Sequence, residues 1–260
     1  MNRVSLNKRS GLPISIDLLT GNISTDEKDS VIFDASVRTL EAAKDYYIDT
    51  NKYDLSKELY KMYRGIRNSK DSDLIDSGRI RHDITVVMPG KINGEYIKTI
   101  GHIHPVMEEQ KVKNRLRYPE IYSVIYGTAY YIIQKYSDDL KSIVDVEAVC
   151  VNEGEHIIIP SHYGHVTVNT KETPLVMANI IEKTFASNYT PYKNNHGAAV
   201  YLTCEKDNKL KFEKNDNYKK IPTPIICGYK HFKVPELEID VPLYTQFTEE
   251  PKKYSYLFKE

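Results

Sequence analysis

A chain of 260 residues with 36 basic and 36 acidic side chains has no net charge. Nothing in that balance draws it to nucleic acid or an acidic membrane surface, so any anion it binds has to be held locally. Three cysteines, Cys150, Cys204 and Cys227, are odd in number and lack CxxC spacing, which argues against a disulfide framework or a thiolate zinc site and fits a reducing cytoplasm.

The N-terminal stretch MNRVSLNKRSGLPISIDLLTG has no apolar core suited to a signal peptide, and no run of about 18 apolar residues follows to span a bilayer. The expectation is a cytoplasmic protein. Leu40, Ala43, Tyr46 and Tyr47 are spaced for one face of a short helix within 37–49, whereas 56–66 reads equally as helix or strand. From Asp83 the character changes. DITVVMPGKINGEYIKTIGHIH is strand, turn, strand, and IYSVIYGTAYYIIQKY, VDVEAVCVNEGEHIIIP and HVTVNTKETPLVMANII extend the pattern with turns at Gly127, 152–154 and 170–174. Short strands with frequent turns over about a hundred residues indicate a sandwich or barrel. The predicted organisation is a core over 1–205 and a C-terminal extension over 206–260 that packs on the core or on a partner subunit. In that extension KDNKLKFEKNDNYKK reads as solvated surface, and Leu243, Tyr244, Phe247, Leu257 and Phe258 read as apolar anchors.

On a strand, residues two apart share a face, so His102 and His104 can both aim into a cavity. Alone, such a pair is more often two polar residues on a solvent face. Glu120, separated by six residues from Gly127, adds a carboxylate on the next strand, and GEHIIIPSHYGHVTVN adds Gly154, Pro160, His165 and Asn169. Together these resemble the two motifs of the cupin superfamily, G-x5-H-x-H-x(3,4)-E-x6-G and G-x5-P-x-G-x2-H-x3-N. Two departures stand out: MEEQKVKNRLR lengthens the interval from His104 to Glu120, and His162 replaces the glycine after Pro160. The resemblance implies a mainly β fold, a cupin double-stranded β-helix or jelly-roll sandwich, here with a short N-terminal helical segment and a C-terminal arm. Three imidazoles and a carboxylate suit a divalent first-row ion, with Fe(II) preferred and Mn(II), Ni(II) or Zn(II) as alternatives. His82, His156, His162, His196 and His231 read singly as structural or exposed.

The segments DLLTG, ITVVMPGKINGEY, KTIGHIH, YPEIYSVIYGTAYYIIQK and IIIPSHYGHVTVNT, with SNY at 187–189, resemble the cupin-type glucose-6-phosphate isomerase family over about residues 12–205. The resemblance implies metal ligation by His102, His104, Glu120 and His165. It also implies phosphate binding by Thr85, Thr99, the backbone at Gly101, and Tyr189. Glu120 is the implied base, with Tyr122 the next candidate for proton relay or for positioning O1. Ile181 and Ser187 stand where the family has a tyrosine and a histidine. A sugar phosphate is the implied substrate and a homodimer the expected assembly. An Fe(II) dioxygenase with the same cage and a non-catalytic sugar-phosphate binder are the rival readings.

Overall fold

The computed structural model describes residues 2–26, 30–107, 116–137, 140, 142–204 and 209–258. The strands that build the site are β1 (Val31–Thr39), β2 (Glu58–Asn68), β3 (Ile80–Val87), β4 (His102–Ile103), β5 (Glu120–Tyr126), β6 (Thr128–Tyr136), β7 (Ile143–Asn152), β8 (His156–Ile159), β9 (Tyr163–Asn169), β10 (Leu175–Glu182) and β11 (Ile225–Gly228). They form a six-stranded sheet, β8-β5-β10-β3-β2-β1, and a five-stranded sheet, β11-β7-β6-β9-β4. The parallel pairing of β11 with β7 is the exception in two otherwise antiparallel sheets. From β4 to β10 the chain changes sheet at every connection except β6 to β7. That path rolls the two sheets around a shared interior, the jelly-roll sandwich that the strand pattern and motifs predict.

Burial explains the apolar runs. Strand β10, LVMANIIE, is buried at every position because both faces of its sheet are covered. The inner face meets the five-stranded sheet through a core that includes Val124, Met177, Tyr131, Ile133 and Val149. The outer face carries a second core, in which Ile84, Ile121 and Ile180 meet Leu12, Ile14 and Ile16 from the N-terminal segment and Phe247 and Leu257 from the tail. Leu243, Tyr244, Phe247 and Leu257 are therefore buried against their own chain, in the helix Leu243–Glu249 and the 3-10 turns of Pro251–Leu257. Each such side chain contributes about 1.5–3 kcal/mol of burial, so the tail is anchored by packing even though prolines punctuate it.

Some local readings resolve differently from the sequence pattern. Residues 56–66 fall largely in β2, where cross-strand pairing with β1 and β3 decides a choice that periodicity leaves open. Within 37–49 the chain stays extended to Thr39, then makes one helical turn, Leu40–Ala43, and a 3-10 turn, Lys44–Tyr46. Leu40, Ala43, Tyr46 and Tyr47 are all buried nonetheless. In the tail, strand Leu210–Lys214 pairs with Val200–Cys204, and Asn215 and Tyr218 are buried where composition alone indicates surface. The long interval after His104 lies mostly outside the described residues. No helix among the described residues is long and apolar enough to cross a membrane, and none of the three cysteines is in a disulfide.

Candidate metal centre and its cavity

Strand β4 is only two residues long, yet it orders the H-x-H pair. Ile103 points into the core, fully buried, and His102 and His104 flank it on the other side. His165 on β9 sits directly opposite His102 in the antiparallel register, so two imidazoles far apart in the chain become cross-strand neighbours. Glu120 opens β5 in the facing sheet. One donor atom from each of His102, His104, Glu120 and His165 falls within 4.8 Å of the others, so the four side chains converge.

The hydrogen bonding around them leaves two of the converging atoms bare. The Nδ1–H of His104 donates to the Tyr118 carbonyl at 2.8 Å, which fixes the tautomer and leaves Nε2 without a partner. Glu120 accepts from the Asn179 amide on Oε1 at 2.7 Å, while Oε2 has no hydrogen bond. That oxygen lies 3.4 Å from Nε2 of His104 and 3.3 Å from Nε2 of His165. The Tyr122 hydroxyl is 3.0 Å from Nε2 of His165. Burial drives His104 down to about 3 and His102 to about 4, and His165 well below its ordinary value, so the three rings are neutral at pH 7. Burial pushes Glu120 up to about 8 and Tyr122 well above 10. A buried imidazole nitrogen and a buried carboxyl oxygen that face each other without hydrogen-bond partners, as His104 Nε2 and Glu120 Oε2 do, are costly in a bare protein. A divalent cation would satisfy these atoms together, and the nitrogen and oxygen donor set fits such an ion.

The cluster forms one wall of a cavity of about 100 Å³. The opposite wall is the inner face of the six-stranded sheet, which contributes alternate residues: Tyr60, Met62 and Arg64 from β2, Arg81, Asp83 and Thr85 from β3, and Met177, Asn179 and Ile181 from β10. Thr85, Thr99 and Tyr189 all line this cavity, as do Glu120, Tyr122 and His102. The Thr99 hydroxyl accepts from the Thr167 amide at 3.0 Å, which leaves its proton to donate elsewhere. Tyr189 is held beside His102, ring centres 5.3 Å apart, by paired backbone bonds between Ile103 and Asn188. Gly101 packs against Tyr192, where an added Cβ would stand 2.1 Å from Cδ1 of that ring. Close packing alone therefore accounts for this glycine. Ile181 and Ser187, the two positions unmatched to the family pattern, also line the cavity.

The remaining motif residues have structural explanations. His162 has φ 71, so it keeps the left-handed backbone that the motif glycine would supply and carries the strain of a side chain there. The Asn169 amide closes the following turn by donating to the carbonyls of Val87 and Thr173. His82 is fully buried, its Nδ1–H donating to the Ile66 carbonyl, and His156 bonds the Glu238 carbonyl. Neither joins the cluster. The polar wall of Arg64, Arg81, Asp83 and Asn179 escaped the sequence reading. Its only trace there is the alternation of Arg81, Asp83 and Thr85 along a strand.

A rolled β-sandwich enclosing three histidines and a glutamate defines a cupin-type protein. The family model described as glucose-6-phosphate isomerase (GPI) matches residues 34–220, well over half of the sequence. The chain belongs to the glucose-6-phosphate isomerase family. Relatives named glucose-6-phosphate isomerase include that of Thermococcus onnurineus, 26% identical over 215 residues, covering 81% of this chain and 98% of the relative. That of Thermococcus kodakarensis is 26% identical over 210 residues, covering 79% and 95%. That of Pyrococcus furiosus is 23% identical over 212 residues, covering 80% and 96%. Among solved structures, oxalate decarboxylase of Bacillus subtilis overlaps half of this chain and 28% of its own, at 20% identity and a TM-score of 0.35.

Proposed function

We propose that this protein interconverts glucose 6-phosphate and fructose 6-phosphate with one divalent metal ion per subunit. The observation that carries the reading is the convergence of His102, His104, Glu120 and His165 on one wall of a cavity, with His104 Nε2 and Glu120 Oε2 left unpartnered, in a chain that belongs to this family. Those four residues would hold the ion. When bound, it supplies positive charge next to the oxygens on C1 and C2 of the open-chain sugar, where negative charge develops as hydrogen leaves C2. Fe(II) is our preferred ion, with Mn(II), Ni(II) or Zn(II) as alternatives.

The protein's own groups divide the remaining work. Thr85, Thr99, the backbone at Gly101, and Tyr189 take the phosphate end, with hydroxyls as donors in a chain without surplus positive charge. Glu120 is our candidate base, acting when its carboxylate leaves the ion as substrate binds, because a carboxylate held on a metal loses basicity. Tyr122, bonded to His165, is placed to relay a proton or to position O1. We further propose a cytoplasmic homodimer that acts in glycolysis and gluconeogenesis, with association through open sheet edges, since the tail anchors are already buried at home.

The test is conversion of fructose 6-phosphate by the purified protein before chelation, after chelation, and after each ion is returned. Activity lost and then restored supports the reading. No turnover with any of the four ions defeats it. Oxygen uptake with an organic substrate would favour the dioxygenase, and tight sugar-phosphate binding without turnover would favour the binder.

A further inference from the structure

The wall facing the metal cluster carries an unbalanced cation. Arg64 and Arg81 both line the cavity. Arg81 is already neutralised: its Nε donates to Asp83 Oδ1 at 2.8 Å and its Nη2 to Asp83 Oδ2 at 2.8 Å. Asp83 is held in turn by the amide of Gly65 at 2.8 Å, so this pair is a rigid, closed unit. Arg64 differs. Its one hydrogen-bonding contact is from Nη2 to the sulfur of Met62 at 3.9 Å, and no carboxylate among the described residues forms an ion pair with it. It shares a strand face with Tyr60 and Met62, and its charge is felt at His102 across the cavity. A free guanidinium on a cavity wall presents a planar fork of donors suited to two oxygens of a phosphate. Every phosphate donor named so far is neutral, and the doubly charged end of a sugar phosphate still lacks a counter-charge at its own position.

We propose that Arg64 receives the phosphate dianion of the substrate and sets the preference for phosphorylated over neutral sugars. This rests on the isomerase reading above and adds a specificity-determining residue to it. Arg64 is exposed, so its replacement leaves the packing intact.

The experiment compares the metal-loaded parent protein with Arg64→Gln, Arg64→Lys and, as a control away from the cavity, Arg3→Gln. With fructose 6-phosphate, Arg64→Gln should raise KM about tenfold, with the effect on KM and not on kcat. Arg64→Lys should fall between, because an ammonium keeps the charge and loses the fork. Near 1 M salt, where the Debye length is about 3 Å, the gap between parent and Arg64→Gln should narrow. Arg3→Gln should match the parent. A KM for Arg64→Gln within about twofold of the parent overturns the proposal.

Calorimetric titration of inorganic phosphate into the same metal-loaded proteins separates the two readings. If the parent turns over no sugar phosphate, the isomerase reading fails on its own. Weaker phosphate binding by Arg64→Gln would then still support the assignment, and equal binding would end it.

Discussion

Replacing Asn179 with leucine tests whether the orientation of Glu120 is what makes the cluster bind metal. Asn179 faces Tyr122 across the β5–β10 register and donates to Glu120 Oε1 at 2.7 Å in a buried environment. Leucine is close in volume, so the change removes the donor with little loss of packing. A buried hydrogen bond to a carboxylate contributes about 2 kcal/mol, and that donor favours the ionised form. Burial already places Glu120 at about 8, so loss of the bond raises it further and a larger fraction is protonated at pH 7. Since an incoming cation has to displace that proton, its affinity should fall by roughly 30-fold, the equivalent of about 2 kcal/mol. The deficit should shrink as pH rises through the carboxyl titration. Competition for Zn(II) or Mn(II) against a fluorescent chelator, from pH 6 to 9, measures both effects. Affinity within threefold of the parent across that range, with circular dichroism unchanged, would refute the argument.

Other expectations follow from the same geometry. Gly101→Ala drives a methyl into the fully buried Tyr192 ring; overpacking of about 1–3 kcal/mol should lower Tm by several degrees in a thermal melt, and an unchanged Tm would show that the ring yields freely. Glu120→Gln should cut kcat by about 100-fold or more with metal present, and Tyr122→Phe by less; the reverse order would move the base to Tyr122. For the isomerisation of glucose 6-phosphate deuterated at C2, loss of label to water indicates proton transfer, and full retention at C1 indicates a hydride shift. Burial lowers His82 below its unfolded value near 6.5. As pH falls below about 6.5 the unfolded chain takes up a proton that the native site resists, so stability falls with a slope of up to about 1.4 kcal/mol per pH unit. His82→Gln, which keeps an amide donor for the Ile66 carbonyl, should flatten urea midpoints between pH 7 and 5; parallel curves for both proteins would contradict this.

The half of the cavity that was legible in the sequence is the half built from short-range patterns. His102 and His104 share a face because a strand has a period of two, and Glu120 and His165 stand at recognisable distances from turn residues. His162 shows how a pattern survives a substitution: the backbone conformation is kept at φ 71 while the residue type changes. The helix reading of 37–49 failed in extent because Val37 and Thr39 are held extended by pairing with β2, an interaction that lies outside the segment. Burial of Leu40, Ala43, Tyr46 and Tyr47 was still readable, since apolar spacing reports a face before it reports a conformation.

The facing wall was hidden for a different reason. Arg64, Arg81, Asp83 and Asn179 come from three strands, and β10 lies between β5 and β3 only because the chain crosses the sandwich and returns. No local rule sets that order. Taken one strand at a time, Arg81 and Asp83 read as ordinary surface charges and Asn179 as an odd polar residue in a buried run. Once the sheet is assembled, Asn179 reaches Glu120 while Asp83 neutralises Arg81 and leaves Arg64 unpaired. The two walls therefore divide the chemistry: the five-stranded sheet supplies the imidazoles, and the six-stranded sheet supplies the carboxylate, the amide that orients it and the free guanidinium. A substrate lying between them would meet the imidazoles on one wall and Arg64 on the other, so changes at Arg64 should alter which sugars bind while changes at Asn179 alter whether the metal does.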